Sequence, residues 1–411
     1  MSPRSTAEAI PDLDAIVPAR LPYRQHGAAG AVLVPIYVQR VTASCVHLIP
    51  DTRPAGAENQ VLNLLRGLRE QRDLAPELVY FERGALHQSF EELDIPLHEL
   101  GRRRRLATDA RRRVRALRAL YRERPPDILQ TWLFEGNAVG LWAARAWPGT
   151  RVVVAQRSGT AERGLVAHMS LTRFLLRRAD YAVSNSEEGA DLLIDLGFDG
   201  GSIEVIPQGV SADRATPRRP REAVRAELDL PEDAPLLVAV GRADDTKDFS
   251  GLFKALELVR TKREDVALAL VGPTPKDMRA LGLELPRFVA AVGWQERPSD
   301  YMNAADLIVI PSWTEGHSNV AGEALMLGCP VVTTNTGAHV PIVTAAGGRV
   351  VPIRDPDALA RAVLDLLDAP PSRESVVAAA RPQLDNGRVV EAMVRIYERL
   401  LARNSTPGVM R

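Results

Sequence analysis

Residues Pro311–Asn335 read PSWTEGHSNVAGEALMLGCPVVTTN. The apolar, β-branched run before them, Leu307–Ile310, predicts a strand ending at Pro311. A polar loop follows, and Ser318 or Asn319 can cap a helix that continues to about Leu327. Pro330–Thr334 then reads as another strand. Strand, polar loop, helix and strand make up the repeating unit of a parallel sheet, whose ligands bind beyond the carboxyl ends of the strands. Two carboxylates frame the helix start: Glu315 in the loop, and Glu323 about one turn in. Free N–H groups and partial positive charge at a helix N-terminus suit a diphosphate, and a carboxylate can accept hydrogen bonds from sugar hydroxyls. In isolation such a pair more often means a dipole complement and a solvated side chain, so its weight depends on the rest of the chain.

Working outward, the same alternation fills most of the sequence. Towards the C-terminus, strands are expected at Leu236–Val240, Val266–Val271, Phe288–Val292 and Leu307–Ile310, with a helix at Phe249–Arg260. Towards the N-terminus, they are expected at Ser44–Pro50, Ile128–Trp132, Val152–Ala155, Tyr181–Asn185 and Ile203–Pro207. A helix after Gly56 carries Val61, Leu64, Leu65 and Leu68 on one face. Between Gln208 and Asp233 the pattern dissolves into Pro, Arg and Asp, as an interdomain connection does. The expected organisation is a disordered lead-in at 1–40 and two doubly wound α/β domains, 41–208 and 209–385, facing each other across a cleft. A C-terminal helix within 386–411 follows, apolar at Val390, Met393, Ile396, Tyr397 and Leu400. At 411 residues, two domains are the default.

Composition excludes several classes. Lys and Arg total 52, as do Asp and Glu, so no net field favours nucleic acid. Cys45 and Cys329 each lie in an apolar run and read as reduced core thiols. No basic n-region precedes an apolar run at the N-terminus and no stretch is fit to span a bilayer, so a cytoplasmic location is expected. Asp355-Pro356-Asp357 reads as a helix cap with Pro at the first helical position, and Asp12-Leu13-Asp14 falls in the lead-in, so no metal site is expected. Gly316-His317-Ser318-Asn319-Val320 lacks the closing glycine of a nucleophile elbow, and no P-loop or dinucleotide fingerprint is present.

Four blocks, in order, carry a resemblance. Glu315-Gly316 and Glu323-Ala324 are similar to the E-x7-E signature of family 4 retaining glycosyltransferases, followed by Gly328-Cys329-Pro330-Val331-Val332 at a helix-to-strand step. Val238–Asp248, VAVGRADDTKD, resembles the family's strand with Gly-Arg and a Lys five residues on. Ile206-Pro207-Gln208-Gly209-Val210 resembles its I-P-N-G-V crossing, with Gln for Asn, and Ala55-Gly56-Ala57-Glu58 its G-G-A-E loop, with Ala for the first Gly. The resemblance covers roughly 45–385. It implies a GT-B fold, retention of anomeric configuration, no metal and no cofactor beyond a nucleotide-diphosphate sugar as co-substrate. It also implies a donor site made by Gly56, Ala57, Gly241, Arg242, Lys247, Glu315, Gly316, His317, Ser318, Asn319, Val320 and Glu323. Arg242 and Lys247 would hold the diphosphate and, with Glu315, carry the chemistry. Breaking the bond from the anomeric carbon to the diphosphate builds charge on the leaving oxygens, which fixed cations and oriented amides stabilise.

The acceptor, a sugar or a lipid-linked molecule, is less legible. Glu135 and Asn137 lie in Gln130–Asn137, where related polysaccharide enzymes often carry His in place of Glu135, and Arg157 follows another strand end. Arg102–Arg124 holds eleven Arg against two acidic residues, a local net of +9, with Ala110, Val114, Leu117 and Tyr121 on one face. Two readings stand: a solvated basic face, or peripheral contact with an anionic inner membrane surface. The rivals for the whole chain are a nucleotide-sugar epimerase of the same fold and a two-domain sugar-nucleotide binding protein without catalysis.

Overall fold

The computed structural model describes residues 42–53, 56–101, 106–157, 173–228 and 234–402. The lead-in expected at 1–40, together with Ala55, Arg102–Arg105 and Ser158-Gly159, lies outside the described residues.

From Ala43 the chain forms one compact unit that contains two parallel sheets. The first is built from β1 (Ala43–Asp51), β2 (Leu74–Glu82), β3 (Leu97–Glu99), β4 (Ile128–Trp132), β5 (Arg151–Gln156), β6 (Tyr181–Ser184) and β7 (Ile203–Val205). Its strand order is β3-β2-β1-β4-β5-β6-β7. The second contains β8 (Leu236–Val240), β9 (Ala267–Val271), β10 (Val289–Gly293), β11 (Leu307–Ile310), β12 (Val331–Thr334) and β13 (Arg349–Val351), in the order β10-β9-β8-β11-β12-β13. In both, the order reverses beside the first strand, between β1 and β4 and between β8 and β11. Loops leaving neighbouring strands there part to opposite faces and open a crevice. The strands are apolar nearly throughout because helices cover both faces.

Sequence reading missed β2, β3 and β13. β2 carries Pro76 and Glu77, which break its apolar alternation. Pro76 is tolerated because β3 pairs only with Leu78–Tyr80, leaving that end of β2 an edge. β3 and β13 have three residues each, too few to show a period.

The two lobes are joined by two crossings laid side by side. Val210 N–H donates to the Leu384 carbonyl at 2.7 Å, and Val210 bridges Asp385 in parallel. The second crossing leads into the C-terminal helix Asn386–Ala402. That helix returns to the first lobe and buries Val390, Met393, Ile396, Tyr397 and Leu400 in the core formed by Val61, Leu64 and Leu65.

Helix Leu106–Leu120 buries Val114 and Leu117, with Tyr121 beyond its end. It is less uniformly solvated than its charge count suggests. Arg113 is buried over the Phe81 ring and 3.6 Å from Glu135, and Arg118 donates to the carbonyls of Trp142 and Ala143. Asp355 caps helix Pro356–Asp368 through the Ala358 N–H, with Pro at the first position as expected. Cys45 and Cys329 are free and buried. Among the described residues no helix is long and apolar enough to cross a membrane, and no cluster of His, Cys, Asp or Glu could hold a metal ion.

Candidate active site at the interlobe crevice

The second lobe supplies three converging loops. After β8 the chain turns at Gly241, and Asp244 caps a short turn, Asp245–Lys247, through the Thr246 N–H. Asp248, in the left-handed region at φ 43°, then caps helix Phe249–Arg260 through the Gly251 N–H. Both termini of this turn are thus pinned, which fixes Lys247. Gly272 permits the arrangement: at φ +116°, a Cβ there would sit 2.0 Å from the Gly241 carbonyl oxygen.

The loop after β11 comes to meet this turn. Trp313 N–H donates to the Thr246 carbonyl at 2.8 Å, and Lys247 Nζ donates to Glu315 Oε1 at 2.5 Å. Ser312 Oγ donates to the same oxygen at 2.7 Å. The loop after β12 supports Glu315 from behind, with Ala338 N–H bonded to the Gly316 carbonyl at 2.7 Å. Gly337 at φ +85° leaves room, since a Cβ would lie 2.9 Å from that of Glu315. Arg242 extends into solvent, its side chain 89% exposed and 3.6 Å from Asp244.

Ser318 caps the signature helix Asn319–Met326 by accepting from the Ala321 N–H. Across the crevice the first-lobe helix Gly56–Leu68 begins at Gly56. The two helix starts touch: Asn319 Nδ2 donates to the Gly56 carbonyl at 3.4 Å, and Gln60 Nε2 donates to Asn319 Oδ1 at 3.1 Å. Two positive helix ends therefore face one gap, beside Lys247 and Arg242. Glu323 points into a buried position, where Arg214 meets both its oxygens at 3.0 Å. Burial pushes the Glu323 carboxyl up, and the Arg214 guanidinium, with Arg297 behind it, pulls it back.

His317 and His339 lie side by side, ring centroids 6.5 Å apart. Burial holds both down to about 4, so both are neutral near pH 7. His339 is fixed by Thr333 Oγ1 at 2.9 Å from its Nε2, whereas Nδ1 of each ring is buried without a partner.

On the first-lobe wall, Trp132 ends β4 and Leu133 follows at φ +59°, a costly conformation for a bulky residue. The sharp turn starts helix Leu133–Ala144 at once. Glu135 in its first turn is taken up by Arg113, and Asn137 lines a small interior cavity with Leu141, Val154 and Leu175. Arg157 instead reaches the second lobe: a Cβ on Gly316 would lie 3.2 Å from its carbonyl oxygen.

Two groups escaped the sequence reading. Arg214 sits in a polar linker with Arg218, Arg219 and Arg221, and nothing in its spacing marks it as the partner of Glu323. Glu58 was visible only as part of a loop motif. It is buried near Asp51, and its carboxyl is pushed up to about 7, chiefly by burial and against the pull of Arg53 and Arg242.

Comparison with known proteins follows this geometry. A family model described as Glycosyltransferase Family 4 matches residues 54–214, and one described as Glycosyl transferases group 1 matches residues 234–369. A D-inositol 3-phosphate glycosyltransferase of Streptomyces scabiei is 31% identical over 230 residues, covering 51% of this chain and 51% of that protein. D-inositol 3-phosphate glycosyltransferase 2 of Catenulispora acidiphila is 36% identical over 210 residues, covering 47% and 49%. The chain spans about half the length of the curated relatives it matches. Among solved structures, HepE of Anabaena in complex with UDP-glucose superposes with a TM-score of 0.73 at 18% identity, over 87% of this chain and 99% of that one. At that identity the likeness speaks for the fold, which is GT-B. The two family models fall one on each lobe and enclose the residues that face the crevice from both sides, and the chain belongs to the family 4, group 1 glycosyltransferases.

Proposed function

We propose that the protein transfers a sugar from a nucleoside-diphosphate sugar to an acceptor bound against the first lobe, with retention of anomeric configuration. The observation that carries this reading is the convergence of Lys247, Glu315 and the start of the signature helix at the mouth between the lobes. HepE was solved with UDP-glucose, and the curated relatives are named for transfer to D-inositol 3-phosphate. The first favours a nucleotide-sugar donor here, and the second favours glycosyl transfer.

The donor's diphosphate lies at the N-terminus of Asn319–Met326, between Arg242 and Lys247. Its ribose hydroxyls donate to Glu323, and the transferred sugar donates to Glu315. When the anomeric bond breaks, the electron pair leaves with the diphosphate oxygen. Arg242, Lys247 and the helix amides, already oriented, stabilise that charge without rearranging water. In this chemistry the protein's own cations do the neutralising, so activity is expected to withstand EDTA.

Nucleoside diphosphate release from a panel of nucleotide sugars, with and without sugar and lipid-linked acceptors, tests the reading. Release that depends on an acceptor supports transfer. No release from any donor overturns it, and conversion of the donor alone to its epimer favours the rival chemistry. The same proposal extends to where the enzyme works: Arg111, Arg112 and Arg115, exposed on helix Leu106–Leu120, would touch an anionic membrane surface.

A further inference from the structure

Gln60 lies one turn into the first-lobe helix Gly56–Leu68 and is buried. Its amide nitrogen makes two hydrogen bonds, and both leave that helix. One is donated at 3.1 Å to the Gly209 carbonyl on the first crossing, the other at 3.1 Å to Asn319 Oδ1 at the start of the signature helix. Asn319 returns the contact: its Nδ2 donates at 3.4 Å to the Gly56 carbonyl, four residues before Gln60 on the same face of the helix. The Asn319 side chain thus spans the first turn of the first-lobe helix, accepting at one end and donating at the other. The fit is close, since a Cβ on Gly56 would lie 3.2 Å from Asn319 Nδ2.

The partners leave one orientation for each amide. Gly209 and Asn319 both present oxygens to Gln60, so only its NH2 end fits between them. Turned over, Gln60 would set Oε1 against two acceptors. Turning Asn319 over would set its NH2 against that of Gln60 and its oxygen against the Gly56 carbonyl. Gly209 is itself held from the next residue, where Val210 N–H donates to the Leu384 carbonyl at 2.7 Å. One planar group therefore fixes the first lobe, the crossing and the signature helix in a single relation.

Resting on the transfer reading above, we propose that Gln60 is a positioning residue for transfer: its amide staples the signature helix and the first crossing to the first lobe, and so holds the lobes in the closed arrangement that brings donor and acceptor together. Gln60 touches neither substrate. It acts through Asn319, at the helix start assigned to the diphosphate. A rotation of the lobes about the crossing displaces Gly209 and Asn319 by different amounts relative to Gln60, so opening breaks at least one of its bonds. In a buried place an unmade bond is costly, which favours the closed arrangement. Arg242, Lys247 and Glu323, the side chains assigned to the nucleotide, all belong to the second lobe. Loss of the staple should therefore fall on turnover and spare nucleotide affinity.

The test pairs steady-state rates with calorimetric titration of the full chain, using the nucleoside diphosphate that the donor panel selects. Gln60→Leu removes both bonds at similar volume. Its turnover should fall at least about tenfold, the scale of a lost buried hydrogen bond, with nucleotide affinity within about threefold of wild type. Gln60→Glu keeps the shape but sets a carboxylate against the oxygens of Gly209 and Asn319. Once protonated it can donate one bond again, so its turnover relative to wild type should rise as pH is lowered. Gln60→Leu combined with Asn319→Ala should be no slower than the slower single variant, because both cut one link. Wild-type turnover in Gln60→Leu overturns the proposal, as does a loss of nucleotide affinity that accounts for the whole loss of turnover. A pH-independent ratio for Gln60→Glu, or losses that multiply in the double variant, overturn it as well. Should Gln60→Leu not fold, Gln60→Glu carries both the kinetic and the scattering measurements. If wild type turns over no nucleotide sugar, the transfer reading fails, and small-angle scattering of the ligand-free chain decides the staple by itself. Gln60→Leu should then show a larger radius of gyration than wild type, and equal radii overturn the staple.

Discussion

Lys247 Nζ lies 2.5 Å from Glu315 Oε1, so the two side chains assigned to diphosphate and to sugar are already paired before any ligand arrives. The pair orients both at once, and removing either end affects the other. Lys247→Ala and Arg242→Ala are each expected to lower turnover by ~10²-fold or more with the fold intact, the scale of a lost transition-state stabiliser. Steady-state rates checked against unchanged circular dichroism decide it, and near-native rates in both variants would remove the diphosphate assignment. Glu323 behaves differently because Arg214 occupies both its oxygens. Glu323→Gln should weaken the nucleoside diphosphate itself, whereas Glu315→Gln should spare that affinity and lower turnover, its partner being present only on the sugar. Arg214→Met gives a finer test. With only Arg297 left to oppose burial, the Glu323 carboxyl rises further and takes up its proton at a higher pH than in wild type. As pH is lowered, nucleoside diphosphate affinity of that variant should therefore begin to fall at a higher pH than that of wild type. A flat profile in Arg214→Met would leave Arg214 a merely structural residue. The glutamates could be singled out in the sequence because their spacing around a helix start resembles the family signature. Arg214 could not, because an arginine in a linker acquires its meaning only when the lobe folds over it.

Strands that lie deep in either sheet were readable from apolar, β-branched runs, and the signature helix from its Ser318 cap and its Gly328 exit. Three strands were not: the edge strands β3 and β13 have three residues each, and the inner strand β2 is interrupted at Pro76, whereas the edge strands β7 and β10 were read. Helix Leu106–Leu120 shows the opposite error, in which a pattern is visible but its charges are not equivalent. Arg113 is buried against Phe81 and Glu135, and Arg118 closes on backbone carbonyls, so the charge available to a partner is less than the sequence count. What is left on the outside includes Arg111, Arg112 and Arg115. If this element meets lipid headgroups, sedimentation with anionic vesicles should fall steeply from low to high salt as the Debye length shortens. Changing these three to Gln should abolish most binding, at about 1 kcal/mol per charge. Equal sedimentation of wild type and the triple variant, or none in either, leaves a solvated helix face.

Between the lobes the molecule has a joint rather than a linker, since both crossings run together. Val210 is hydrogen-bonded to Leu384, and Asn386 Nδ2 donates to the Asn63 carbonyl at 3.1 Å, tying the second crossing to the first-lobe helix. The Gly209 carbonyl accepts from Gln60 Nε2, which also holds Asn319 at the signature helix, so the joint and the site share one side chain. Closure of the lobes around a donor would exclude water. Gly209 is where that motion is most easily blocked: a Cβ added there would lie 2.7 Å from the Asn386 Cα and 2.9 Å from its Oδ1. Those are contacts with the neighbouring crossing, and its backbone cannot swing aside as a flexible side chain would. Gly209→Ala is therefore expected to wedge the two crossings apart while both sheets, whose cores lie elsewhere, stay folded. Small-angle scattering should show wild type becoming more compact when saturated with the nucleoside diphosphate, and Gly209→Ala failing to do so. Turnover should drop roughly tenfold or more with only a small change in nucleotide affinity, because the second lobe still binds while the site is not completed. Full compaction and full turnover in Gly209→Ala would mean the lobes pivot elsewhere and that the paired crossings serve only to hold them together.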